Sequence, residues 1–177
     1  MKPSSFVFLL SFISVACSAP ITKTEAPPLF ELRGPDDTGV DFSNTLEESE
    51  QLNILAFEYF YNGAGVGIGD VDNDGRPDLF FSGNMTGSRL YLNRGDLRFE
   101  DATERAGIDT EGRWATGVSM VDINGDGWLD LYVACAGPYG PARRANLFYL
   151  NNGDGTFSEH AAALGLADTG HTTQAAF

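Results

Sequence analysis

The chain has 177 residues, 42% of them hydrophobic and 12% aromatic, and carries a net charge of −14. That length suffices for one domain, and 21 glycines beside so many aromatics fit a turn-rich β protein rather than a disordered acidic chain. So acidic a balance excludes attraction to nucleic acid or to an anionic membrane surface.

Residues 1–17 carry Lys2 and a short apolar run from Phe6 to Ala16. The run is too short to span a bilayer and has the form of a secretory signal. It ends Ser14-Val15-Ala16-Cys17, similar to a lipobox in which Cys17 is the lipidated residue, although Ser14 stands where leucine is usual. Ordinary cleavage near Ala19 is the competing reading, and Pro20 disfavours it. Both imply export: a lipoprotein of a bacterial outer membrane or cell surface, or else a periplasmic or secreted protein. The membrane is then met through a lipid anchor only. Residues 18–29, with Pro27-Pro28, read as a flexible tether. The other cysteine, Cys135, alternates with apolar residues and reads as a buried, inert thiol.

The folded part, 30–177, opens with two predicted strands, Val40-Asp41-Phe42 and Ile54 to Tyr61. In the second, Phe57, Tyr59 and Tyr61 alternate onto one face. Between them, Thr45 to Glu50 reads equally as a short helix or a loop, its glutamates forming a solvated face.

From Gly63 the chain repeats, in units of about 63–114 and 115–171. Each unit runs through a strand, an acidic loop, an apolar strand, a Leu-Tyr-Leu-Asn type strand, a Gly-Asp turn and a Phe-centred strand. The first loop is Asp70-Val71-Asp72-Asn73-Asp74-Gly75-Arg76-Pro77-Asp78 and the second, 52 residues on, is Asp122-Ile123-Asn124-Gly125-Asp126-Gly127-Trp128-Leu129-Asp130. Asp70, Asp72, Asp74 and Asp78, and likewise Asp122, Asn124, Asp126 and Asp130, hold positions 1, 3, 5 and 9, with glycine at 6. Four like charges within nine residues repel, and hard oxygen donors suit Ca²⁺, which takes about 6–8 oxygens. Arg76 and Trp128, at position 7, would offer backbone carbonyls. Two Ca²⁺ sites are therefore expected. Because Asn124 is neutral, the first loop is expected to bind more tightly.

An EF-hand is excluded, because its position-12 glutamate is replaced by Phe81 and Val133 and no flanking helix is legible. A calcium sensor, which opens a helix pair, is disfavoured for the same reason. The hairpin sequences around Leu90 and Phe148 recur 58 residues apart, the excess falling in a plain loop insertion between Ala136 and Asn146. Four strands per unit is the content of a β-propeller blade. The expected fold is all-β: a partial propeller of four-stranded blades, about two blades plus the start of a third at Thr172–Phe177, and so a fragment.

At these residues the sequence resembles the FG-GAP/VCBS-type calcium-binding propeller repeats, similar to those of integrin α chains. Asn62 to Asp70 and Trp114 to Val118 resemble in particular the exported bacterial relatives of cartilage acidic protein. The resemblance covers roughly residues 38–177. It implies a propeller of about seven blades, Ca²⁺ held by the eight loop side chains named above, and no activity in itself. No zinc, nucleophile-elbow or phosphate-loop motif is present. His160 and His171 read as surface or turn residues, as do Arg143 and Arg144, although an exposed arginine pair could touch a partner. Aromatics Phe80, Phe81, Tyr91, Tyr132, Phe148 and Tyr149 read as packing between blades. The expected function is non-enzymatic binding or scaffolding of a protein or glycan. The alternative is the propeller scaffold of a polysaccharide-acting enzyme, its active site in further C-terminal sequence.

Overall fold

The acidic loops break each unit's first hairpin into two strands, and the Gly-Asp turns return the third strand onto a fourth. The computed structural model describes residues 28–177; the leader, Cys17 and the tether up to residue 27 lie outside them. Residues Arg33–Phe177 form one compact unit. Within it β1 (Val66–Gly69), β2 (Asp78–Phe81), β3 (Arg89–Asn93) and β4 (Phe99–Asp101) pair in chain order as one antiparallel sheet. A second sheet repeats the meander with β5 (Trp114–Val121), β6 (Asp130–Ala136), β7 (Leu147–Asn151) and β8 (Phe157–Glu159). Each strand read within the two repeat units is present. The remaining regular elements are single helical turns, α1 (Pro35–Thr38) and α2 (Pro141–Arg144). The second lies in the insertion expected to be plain loop. Among the described residues no helix is long and apolar enough to cross a membrane.

The sheets pack face to face. Phe80, Leu90 and Leu92 of the first meet Leu131, Val133, Leu147 and Tyr149 of the second in one core cluster. Tyr132 and Phe148 bury the opposite face of the second sheet with Ala161, Leu166 and Ala175. Every residue of β6 is buried, which is why that strand reads as a continuous apolar run. Cys135 lies within it, and burial pushes its thiol up to about 11. The innermost strands approach through glycine. A Cβ on Gly65 would stand 2.8 Å from the Gly117 Cα, and one on Gly117 would stand 2.5 Å from the Thr173 carbonyl oxygen.

Neither strand predicted before Gly63 forms. Val40 to Phe42 has no ladder; instead the Phe42 ring stacks on Phe81 at 5.2 Å and Asp41 accepts the Tyr91 hydroxyl at 2.7 Å. Ile54 to Tyr61 is a run of turns, begun where the Asn53 side chain accepts the Leu55 and Ala56 amides. The aromatic spacing that matters is three rather than two: Phe57 and Phe60 both pack on Trp114, while Tyr59 and Tyr61 stay exposed. Thr45 to Glu50 is loop. Residues 172–177 run beside β5, where Thr116 donates to Thr172 O and Ser119 to Ala175 O, but form no strand.

Arg143 and Arg144 fold back on the protein. Arg143 covers the Tyr139 ring and donates to Gly112 O; Arg144 donates to Thr169 O and meets His171.

The hairpins after β3 and β7 differ at one instructive position. Leu97 has φ +57°, the left-handed region, where the second unit places Gly155 at φ +84°. A non-glycine residue there costs about 1–2 kcal/mol, offset by about 0.4–1 kcal/mol for the freedom glycine adds to the unfolded chain. Leu97 is 60% exposed, so little packing is lost on removing it. Leu97→Gly should therefore raise stability by up to about 1 kcal/mol. A urea midpoint equal to or below wild type would refute this.

Candidate metal centre

Both acidic loops fold by the same internal hydrogen bonds. Position 1 is the hub: Asp70 accepts the amides of Asp74 at 3.1 Å and Gly75 at 2.8 Å, and Asp122 accepts those of Gly125, Asp126 and Gly127. Position 3 accepts from position 5, Asp72 from the Asp74 amide and Asn124 from that of Asp126. Position 5 accepts the amide of position 7, Asp74 from Arg76 and Asp126 from Trp128, each at 2.9 Å. Two left-handed residues make the curl: Gly75 and Gly127 at position 6, and Asn73 and Gly125 at position 4.

Position 9 differs from the rest. Asp78 and Asp130 are both fully buried. Asp78 accepts the amides of Val71 at 2.9 Å and Asn93 at 2.8 Å; Asp130 accepts those of Ile123 at 3.1 Å and Asn151 at 2.8 Å. Each carboxylate thus ties the start of its loop to the end of the third strand. Burial, above all, pushes both carboxyls above the ordinary range; these amides oppose the shift, and the neighbouring loop aspartates add to it.

Asn93 and Asn151 complete the bracket. Their amide groups donate to Pro77 O and Leu129 O, and their side-chain oxygens accept the Gly95 and Gly153 amides. Asn151 also donates to Val71 O in the first loop, and Asn73 donates to Gly127 O in the second. The two loops are therefore bonded to one another across the blades. Sequence reasoning missed these asparagines. The recurring Leu-Asn-x-Gly-Asp was the available signal, but it was read only as turn chemistry.

Oxygens of Asp70, Asp72 and Asp78 lie within 4.8 Å of one another. Asp74 stands outside that group. The matching positions of the second loop hold Asp122, Asn124 and Asp130, an amide replacing the middle carboxylate. The Asn124 amide also donates to Asp126 at 2.7 Å. The donors in both loops are hard oxygens, and crowded carboxylates, with Asp78 and Asp130 raised chiefly by burial and further by their loop neighbours, are an environment a divalent cation relieves; the residues fit Ca²⁺. Trp128 does not converge on the site through its side chain, which lies against Gly153.

Two stacked four-stranded meanders, each with an acidic curl in its first hairpin, define a propeller-type repeat protein. Residues 70–133 match the FG-GAP-like repeat model, a span that runs from the first loop to just beyond the second. That stretch of the chain is similar to FG-GAP-like repeats. The chain is similar to cartilage acidic protein 1 from Homo sapiens, 33% identical over 72 residues, covering 41% of this chain and 11% of that protein. It is similar also to the Xenopus tropicalis protein, 29% identical over 77 residues, covering 44% and 12%. The Mus musculus protein is 31% identical over 69 residues, covering 39% and 11%. The chain thus spans about one tenth of the length of these curated relatives.

Proposed function

We propose that this chain belongs to an exported, lipid-anchored propeller that binds Ca²⁺ in both acidic loops and serves as a non-enzymatic scaffold for a protein or glycan. The grouping of the Asp70, Asp72 and Asp78 oxygens within 4.8 Å of one another, in a loop whose sequence pattern recurs at Asp122, Asn124 and Asp130, carries the calcium reading. Asp70, Asp72 and Asp78 would hold the ion in the first loop, and Asp122, Asn124 and Asp130 in the second. Asp74, Asp126 and the carbonyls of Arg76 and Trp128 are the further donors available. Bound Ca²⁺ supplies positive charge where acids crowd. The chain's own part is to hold each loop closed on its third strand and on the other loop, so that folding and binding reinforce each other. Export follows from the apolar leader, and anchoring from Cys17.

Saturation at about one hundred times the dissociation constant stabilises by about 2.7 kcal/mol per site, or roughly 5–10 °C in melting temperature. Calorimetric melting with excess Ca²⁺ and with EDTA should differ by at least that much. Coincident curves, with no Ca²⁺ retained on equilibrium dialysis, would refute the calcium reading. Anchoring is tested separately: metabolic palmitate labelling of the exported protein should vanish in Cys17→Ala, and label retained in that variant would refute it.

A further inference from the structure

Resting on the reading of both loops as Ca²⁺ sites, we propose that Arg76 and Arg94 are built-in counter-cations of the first loop. The second loop then binds Ca²⁺ more tightly, although it has fewer carboxylates. The order is the reverse of the one that counting acids suggests.

Both guanidiniums face the first loop's carboxylates. Arg94 Nη1 stands 3.6 Å from Asp72 Oδ2, and Arg76 pairs with Asp74. Neither is a loose surface arm. Arg76 Nε donates to the Asn93 carbonyl at 3.0 Å, and Arg94 Nε donates to Glu100 at 2.8 Å. The second unit has neutral residues at both places, Trp128 for Arg76 and Asn152 for Arg94. Asn152 is occupied within its own hairpin, donating to Thr156 and Ser158. Among the described residues no ion pair reaches Asp122, Asp126 or Asp130.

The charges then compare as follows. Counting the ion pairs linked to it, the first loop's four carboxylates and Glu100 with Arg76, Arg94 and Arg105 sum to −2; the second loop's three carboxylates stand alone at −3. Arg94, shared between Asp72 and Glu100, offsets the first loop's extra acid in part, where Asn124 is neutral by itself. Arg76 tips the balance further. An entering ion must also displace or share the oxygens these guanidiniums hold. Both arginines are partly exposed and screened, so the effect is about three- to tenfold in affinity for each.

The test is isothermal titration of Ca²⁺ into the EDTA-stripped chain, with folding checked by circular dichroism. Two binding steps are expected. Asp122→Ala should abolish the tighter and Asp70→Ala the weaker. Arg76→Gln with Arg94→Asn should tighten the weaker step by about tenfold or more, while lysine at both places leaves the order unchanged. Tb³⁺ luminescence excited through Trp128 should follow the tighter step. Trp128→Arg with Asn152→Arg should weaken that step, so the inference stays falsifiable even if the first pair misfolds. Loss of the tighter step in Asp70→Ala, or an unchanged weaker step in the arginine-free chain, overturns the inference and leaves the calcium reading intact. No heat and no luminescence in wild type would overturn that reading, and this inference with it.

Discussion

Asp130→Ala is expected to destabilise the metal-free protein by about 2–4 kcal/mol. The carboxylate is fully buried and accepts two backbone amides, from Ile123 and Asn151. A buried donor left without an acceptor costs about 1–3 kcal/mol, which the Asn151 amide incurs in full and the more exposed Ile123 amide only in part. A cavity adds to that; recovered desolvation of the carboxyl, held above its ordinary range by burial, subtracts. Asp130→Asn keeps the volume and one acceptor and should lose about half as much. Asp126→Asn, at an exposed position that keeps its oxygen for the Trp128 amide, should change metal-free stability by less than about 0.5 kcal/mol. Urea unfolding in EDTA measures all three without any contribution from ligation. If Asp130→Ala and Asp126→Asn cost the same, Asp130 has no structural role beyond the metal.

Trp114→Ala should cost about 3–5 kcal/mol and release the segment before the first blade. The indole is 1% exposed, with Phe57 edge-on at 5.3 Å and Phe60 tilted at 5.6 Å. Gly137, whose φ is +96°, packs directly against it: a Cβ there would lie 2.6 Å from the Trp114 Cβ. Residues 53–62 are held by turns and these rings rather than by a ladder. Limited proteolysis should therefore cut between Phe57 and Tyr61 in the variant and leave wild type intact. Protection of that segment in the variant would show that the aromatic cluster does not hold it.

The repeat was legible because each unit states its elements twice. Glycine or β-branched residues, an acidic nonapeptide, an apolar run and a Leu-Asn-x-Gly-Asp turn recur in order, and a hairpin meander is a local structure that short-range chemistry specifies. The segment before Gly63 was not legible, because it has no ladder. Phe57, Tyr59 and Tyr61 satisfy a period of two on paper, while the Asn53 cap and the hold of Trp114 on Phe57 and Phe60 impose turns instead.

In the candidate site, the sequence by itself determined the donor types, their spacing and the hinge at Gly75 and Gly127. Those are properties of nine contiguous residues, and local geometry settles them. Only the tertiary structure decided the rest. It buried Asp78 and Asp130 as brackets, joined the loops through Asn73 and Asn151, and set Arg94 against Asp72. Burial and charge pairing depend on what the chain brings back from 15 to 80 residues away, and no single stretch of it carries that information.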